Sequence, residues 1–164
     1  MRRSSGATSS CGAISFETNI PYKFRAQNGV GWSDVDLCVL HPRTGDAAAV
    51  EVKGWHTGRT TPSYLRAYPS LFHFTRAEAT AAVSALLGRE DFRHILVVGR
   101  LSDRSREEVL AYARERGVEM IEFPSILAEL IVDTPVKRSA GSDAEHMIRV
   151  LKAYRLVSSD STGS

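Results

Sequence analysis

Two short apolar runs with charged residues inside them form the strongest pattern along the chain. Residues 33–40 (SDVDLCVL) and 47–54 (AAAVEVKG) carry apolar side chains at both odd and even positions, which is typical of strands buried on both faces. The six residues between them, HPRTGD, have proline early and glycine late, as in a tight reversal. We therefore predict an antiparallel β-hairpin at the centre of a sheet.

Helical and strand patterns alternate in the rest of the chain. Residues 13–24 predict a helix or a strand, and Pro21 argues against one long helix through them. Residues 28–31 (NGVG) predict a turn, and residues 75–78 (TRAE) resemble a capping box. The other predicted elements are a helix at 75–87 stopped by Gly88, a strand at 94–99, a helix at 105–116 stopped by Gly117, a strand at 118–123, a helix at 125–132 and a last amphipathic helix from residue 142.

This order of elements predicts an α/β fold with a mixed central sheet, antiparallel at the hairpin and then joined by helical crossovers. A Rossmann-type fold is the rival, but no predicted strand is followed by a glycine-rich phosphate-binding turn. We expect a disordered lead over residues 1–12, a core over 13–133, a linker and C-terminal helix packed on the core over 134–157, and a disordered tail over 158–164.

Asp36, Glu51 and Lys53 are charged residues inside the two predicted strands. If the turn is centred between Arg43 and Thr44, paired residue numbers sum to about 87, and Asp36 lies opposite Glu51. Cross-strand partners share a face, with Cβ atoms about 5 Å apart. The oxygen ligands of a hard divalent cation lie at about 2.0–2.6 Å, so the two carboxylates can hold one such ion beside Lys53. A slip of one residue would move Asp36 to the other face.

Burial decides whether these charges are functional. In a regular strand, Asp36 shares its face with Cys38, whereas Val35 and Leu37 occupy the other face. A charge in a strand buried on both faces must be paired or bound to a metal. The alternative is a solvated ion pair between Glu51 and Lys53 on an edge strand.

The spacing of these residues carries a family resemblance. Asp36, fourteen intervening residues and the triplet Glu51-Val52-Lys53 resemble the core of the PD-(D/E)xK nuclease superfamily, which includes restriction endonucleases and archaeal-type Holliday junction resolvases. The resemblance implies a restriction-endonuclease-like three-layer sandwich with the nuclease core over residues 13–133. It implies that Asp36, Glu51 and Lys53 are catalytic. Mg²⁺, or Mn²⁺ in its place, would be bound by Asp36, Glu51 and the backbone carbonyl of Val52, and Lys53 would orient or activate the attacking water.

The proline of the family name is absent from this chain. Ser33 precedes Asp34, and Val35 precedes Asp36, so either aspartate can be the first acid of the motif. The predicted register favours Asp36, with Asp34 as an auxiliary acid. Many nucleases of this type are similar in carrying an upstream acid that completes the metal site, and Glu17 is the only acid before Asp34. The alternative for Glu17 is a solvated surface acid.

The segment after Lys53 is long, polar and aromatic. Aromatic side chains interleaved with arginines can stack on bases and neutralise phosphates, which makes this segment a candidate for nucleic-acid contact. The candidates in it are Trp55, His56, Arg59, Tyr64 and Arg66. The alternative is a short helix around residues 63–68 that packs its tyrosines on the core.

Composition sets wide bounds on function. The 164 residues suit one domain with a real core, and a net charge of +2 does not by itself indicate a nucleic-acid-binding protein. Two cysteines make neither a disulfide framework nor a zinc site. No apolar run is long enough to span a membrane, and no apolar stretch follows Arg3 to make a signal peptide. We expect a cytoplasmic protein with no membrane partner.

These observations predict a metal-dependent nuclease that hydrolyses phosphodiester bonds. The resemblance favours DNA, although no residue distinguishes DNA from RNA. The alternatives are a catalytically inactive nucleic-acid-binding or assembly module with the same fold, and an RNA-directed nuclease effector. Two-fold symmetric cleavage would need a homodimer, for which the last amphipathic helix is a candidate interface.

Overall fold

A mixed five-stranded sheet organises the protein, as a computed structural model shows. The structure describes residues 15–26, 28–53, 60–133 and 147–149. The strands lie in chain order, β1 (Ser15–Ala26), β2 (Gly29–Leu40), β3 (Ala47–Lys53), β4 (Arg93–Val98) and β5 (Val118–Glu122). β1 and β3 both run antiparallel to β2, and β4 runs parallel to β3. The predicted α/β class with a mixed sheet is therefore confirmed.

Helices connect the later strands. They are α1 (Pro62–Ala67), a 3-10 helix (Pro69–Thr75), α2 (Ala77–Leu87), α3 (Arg106–Arg114) and α4 (Phe123–Asp133). The chain divides after Ile121 into two compact units, and α4 belongs to the second. No helix among the described residues is long and apolar enough to cross a membrane.

Local signals located most of these elements within a few residues. Gly88 ends α2 in the left-handed conformation, with φ 68°, as predicted. The predicted capping box is wrong, because Arg76 is the N-cap residue of α2 and the Thr75 hydroxyl donates to the Phe72 carbonyl instead. The predicted turn at 28–31 is also wrong in extent, since Gly29 and Gly31 already belong to β2.

The N-terminal segment is a strand, which settles the choice left open by its sequence. Pro21 lies within β1, opposite Asp34. Proline has no backbone N–H to donate, and in sheets it is confined mainly to edge strands. β1 is one of the two edge strands of the described sheet, so its position is one where proline is tolerated.

The sheet is buried on both faces in its centre. One face carries Cys38, Ala49 and Leu96, which pack in a single hydrophobic cluster with side chains of the helices, including Leu65, Phe72, Phe74, Ala79, Val83 and Val109. On the other face, Ala48, Val50, Ile95 and Val97 are also buried. The near-continuous apolar runs of β3 and β4 are explained by this double burial.

Three predictions fall on residues outside the described part of the chain. These are the disordered lead over 1–12, most of the linker and C-terminal helix over 134–157, and the tail over 158–164. Only residues 147–149 of that region are described, and they are helical.

We predict that Gly88→Ala lowers the free energy of unfolding by about 1 kcal/mol, because an alanine in the left-handed conformation is strained. The space around Gly88 is open, so no steric clash adds to this effect. Urea unfolding of Gly88→Ala and Gly88→Asn measures it. Asparagine tolerates the left-handed region and should recover part of the loss. Equal stability of Gly88→Ala and the wild type would contradict this account of the helix end.

Candidate active site

The β2–β3 turn sets the register on which the site depends. The His41 N–H donates to the Asp46 carbonyl, and the Gly45 N–H donates to the His41 carbonyl, both at 2.8 Å. Gly45 has φ 76°, which favours glycine. The Thr44 hydroxyl donates to the Asp46 carboxylate at 2.7 Å. These local bonds close the six-residue loop.

The predicted register is confirmed. Four residue pairs, from Leu37–Val50 to Leu40–Ala47, join β2 to β3, and the residue numbers in each pair sum to 87. Asp36 and Glu51 are next in the same series. The ladder itself ends at Leu37–Val50, just before the two acids.

Asp36, Glu51 and Lys53 are brought together at this end of the ladder. The Lys53 ammonium lies 2.5 Å from Glu51 Oε1 and 4.0 Å from Asp36 Oδ2. Asp36 Oδ2 also accepts a hydrogen bond of 2.7 Å from the backbone N–H of Val52. The Lys53 ammonium and the Val52 N–H therefore hold the carboxylates of Asp36 and Glu51 close together.

Glu51 is the buried member of the group, with 8% of its surface exposed. Its Oε1 is paired with Lys53, and its Oε2 is buried with no hydrogen-bond partner among the described residues. Desolvation raises the pKa of Glu51. The hydrogen bond from Lys53 opposes this rise, and the charge of Asp36 adds to it. The solvated edge-strand alternative is therefore wrong for Glu51, because β3 lies inside the sheet and the carboxylate is buried.

One predicted feature of β2 needs correction. Regular alternation would place Val35 and Cys38 on opposite faces, but both belong to the same core cluster. The two-residue period of the strand is interrupted between them, and Asp36 lies within the interruption. The prediction that β2 alternates regularly from Val35 to Cys38 is wrong for this reason, and the shared face of Asp36 and Cys38 stays a prediction.

The auxiliary acids lie farther along the hairpin. Asp34 is exposed and lies opposite Pro21. Glu17 is exposed and lies opposite Cys38, two residue pairs from Asp36. Burial raises the pKa of the Cys38 thiol, and the nearby charge of Glu17 raises it further.

These acids do not gather into one cluster. The described residues contain no group of three or more histidine, cysteine, aspartate and glutamate side chains placed to hold a metal ion. The carboxylates that the structure brings together are those of Asp36 and Glu51, and metal binding by Asp34 or Glu17 stays a prediction.

The predicted nucleic-acid segment is described only in part. Trp55, His56 and Arg59 lie outside the described residues. Tyr64 and Arg66 lie on α1, which confirms the short helix considered as the alternative. Its buried residues are Pro62 and Leu65, so the tyrosines are not what it packs on the core.

Each of these two side chains has an aromatic neighbour. The ring of Tyr64 lies 4.5 Å from that of Tyr68, and the guanidinium of Arg66 lies 5.8 Å from the ring of Tyr112. A role of Tyr64 or Arg66 in nucleic-acid binding stays a prediction.

Two features of the β1–β2 hairpin escaped the sequence analysis. The ammonium of Lys23 lies 4.5 Å from the ring of Trp32, and 66% of Trp32 is exposed. Asn19, opposite Asp36, has a positive φ of 54°. Lys23 and Trp32 are cross-strand partners in the register of β1 with β2. A correct placement of the turn before Gly29 would have predicted that register. No sequence signal marks Asn19.

Comparisons with protein-family models, with curated proteins and with solved structures gave no match to this chain. The geometry of Asp36, Glu51 and Lys53 is therefore what indicates a function for this chain.

We predict that Glu51→Gln gains stability relative to the wild type as pH rises from about 4 to about 8, in metal-free buffer. Because the folded-state pKa of Glu51 is raised above the ordinary 4.5, its stabilising contribution is complete below that pH. It is lost as pH rises through the raised pKa. Glutamine does not ionise, so the variant keeps what the wild type loses.

Urea unfolding of both proteins across this pH range measures the difference in free energy. Glu119→Gln is the matched control, because it removes a carboxylate from the exposed ion pair with Arg93 on the same sheet. Its difference from the wild type should vary less with pH. A Glu51→Gln difference that stays constant or shrinks as pH rises would contradict the burial argument.

Proposed function

We propose that this protein is a metal-dependent nuclease that hydrolyses phosphodiester bonds in DNA, with Asp36, Glu51 and Lys53 as its catalytic residues. The observation that carries the proposal is the meeting of two opposed carboxylates and one ammonium at the end of the β2–β3 ladder. An antiparallel hairpin followed by a helical crossover to a parallel strand also agrees with the proposed restriction-endonuclease-like fold.

The buried carboxylate supports a metal at this position. Leaving a buried acceptor such as Glu51 Oε2 without a partner is unfavourable, and burying a charge is more so. A hard divalent cation relieves both penalties, and carboxylate oxygens are its preferred ligands. We therefore assign Mg²⁺, with Mn²⁺ as a substitute, to Asp36 and Glu51, with the Val52 carbonyl as a further ligand. When bound, such an ion lowers the pKa of a water molecule and neutralises charge on the scissile phosphate.

Lys53 supplies the positive charge of the protein itself. Its ammonium is held by Glu51 and lies near Asp36, so the acids fix its position. A fixed cation beside the attacking water stabilises negative charge that develops in the transition state. The ammonium also reduces repulsion between the two carboxylates before substrate binds.

A second ion pair on the same sheet shows what an ordinary surface pair looks like. Arg93 and Glu119 lie 2.8 Å apart, with side chains 59% and 46% exposed. Such pairs contribute about 0–1 kcal/mol and need no functional explanation. The corresponding side-chain exposures of Lys53 and Glu51 are 23% and 11%. A pair as buried as this does need a functional explanation.

We predict that Asp36→Asn, Glu51→Gln and Lys53→Met each reduce Mg²⁺-dependent cleavage by at least about a hundredfold, as expected when a group that stabilises the transition state is removed. Gel assays on supercoiled plasmid, single-stranded DNA and RNA measure the loss and identify the substrate class. Glu119→Gln should cleave like the wild type. Cleavage unaffected by the Asp36 or Lys53 substitution would end the assignment.

The same assay separates the remaining alternatives. Loss of cleavage in Asp36→Asn but not in Asp34→Asn would make Asp36 the first acid of the motif. Wild-type protein that binds nucleic acid but cleaves none with Mg²⁺ or Mn²⁺ would favour an inactive binding module. Cleavage of RNA alone would favour an RNA-directed effector.

We predict that Mg²⁺ or Mn²⁺ raises the melting temperature of the wild type, because an ion that binds the folded state stabilises it by about 2.7 kcal/mol at a hundred times its dissociation constant. Thermal unfolding with and without the ion measures this without reference to activity. Asp36→Asn and Glu51→Gln should lose the response, and Glu119→Gln should keep it. An equal response in all four proteins would place the ion elsewhere.

A further inference from the structure

Asn19 has an unusual backbone conformation in the middle of a strand. It is the only non-glycine residue with positive φ in the described part of the chain, at 54°. The left-handed region is unfavourable for L-residues, although asparagine tolerates it better than most. Conformations of this kind persist where the surrounding structure requires them, and they cluster at functional sites.

The unusual residue lies opposite Asp36. The pairs on either side of it, Thr18–Leu37 and Ile20–Val35, both have residue numbers that sum to 55. The pair between them, Asn19–Asp36, is missing from the ladder. The hairpin therefore keeps its register through the interruption, and the disturbance is confined to these two positions and their neighbours.

The two strands exchange their faces at this point. Cys38, on one side of the interruption, and Val35, on the other, are both buried in the same hydrophobic cluster. They are three positions apart, so regular alternation would point them to opposite faces. β1 follows the exchange, because Glu17 pairs with Cys38 and Ile20 pairs with Val35, and cross-strand partners share a face.

The exchange coincides with an unusual direction of the Asp36 side chain. In a regular strand, side chains stand roughly perpendicular to the sheet. Asp36 Oδ2 instead accepts from the backbone N–H of Val52 on the neighbouring strand, at 2.7 Å. The carboxylate thus continues the hydrogen bonding between β2 and β3 beyond Leu37–Val50, where the ladder ends.

We propose that Asn19 is a positioning residue whose left-handed conformation turns the Asp36 carboxylate toward Val52 and Lys53. Its effect on cleavage rests on the proposed function, whereas its effect on the Asp36 side chain does not. Glycine at this position keeps the conformation accessible. A β-branched valine disfavours it and favours a regular strand.

The amide resonance of Val52 tests this positioning directly. Its chemical shift in ¹H–¹⁵N spectra of the full chain reports the hydrogen bond to Asp36, and Asp36→Asn gives the value with the carboxylate removed. We expect Asn19→Gly to keep the wild-type shift and Asn19→Val to move it toward the Asp36→Asn value. Thr18→Val is the matched control, because it places the same side chain one residue away on β1, and it should leave the shift unchanged.

Either of two results would overturn the proposal. One is a folded Asn19→Val protein with the wild-type Val52 shift. The other is loss of the shift in Asn19→Gly, which would show that the side chain acts rather than the backbone conformation. If Asn19→Val does not fold, Asn19→Ala carries the same test, since alanine also disfavours the left-handed region.

Cleavage assays on the same variants separate this inference from the proposed function. We expect Asn19→Val to lose cleavage in step with the Val52 shift, and Asn19→Gly to retain both. A shift that follows Asn19 in a protein that cleaves nothing would support the positioning role and reject the nuclease. Suppose instead that cleavage depends on Asp36 but not on Asn19, and that the Val52 shift is unchanged in Asn19→Val. That result would support the nuclease and reject the positioning role.

Discussion

The register of β2 with β3 is the constraint on which the site depends. The hydrogen bonds between His41, Gly45 and Asp46 close the loop locally, and four cross-strand pairs repeat the same alignment. A shift of one residue would carry Asp36 to the face opposite Glu51, so the alignment that the turn selects also determines the site. Asp36 and Glu51 are brought near one ammonium because both constraints agree.

The parts of the fold that sequence predicted are those with local causes. The β2–β3 hairpin follows from one proline–glycine turn between apolar runs, and Gly88 ends α2 by its own conformational freedom. The capping box failed because Thr75 is used by the preceding 3-10 helix, which no spacing rule anticipates. The face exchange at Asn19 could not be predicted, since it shows only in the burial of Val35 and Cys38 in one core cluster. The sequence predicted the acids of the site, but it did not predict the direction of the Asp36 side chain.

Stability alone does not account for the burial of the Glu51–Lys53 pair. Buried ion pairs often stabilise a protein no better than apolar residues of similar size. Within the described part of the chain Glu51 Oε2 has no hydrogen-bond partner, which makes the metal-free site less favourable still. Sites that break local rules in this way tend to be functional. The energetic disadvantage of this carboxylate is thus an argument for the chemistry proposed for it.

The outer strand of the sheet has a consequence for how copies of the chain meet. An exposed edge presents free backbone groups that can recruit a strand from another molecule. Pro21 removes one donor from β1, and the positive φ of Asn19 interrupts the regular strand two residues earlier. A foreign strand laid along β1 would meet both irregularities near its middle, so this edge of the described sheet is a poor template for fibrous aggregation.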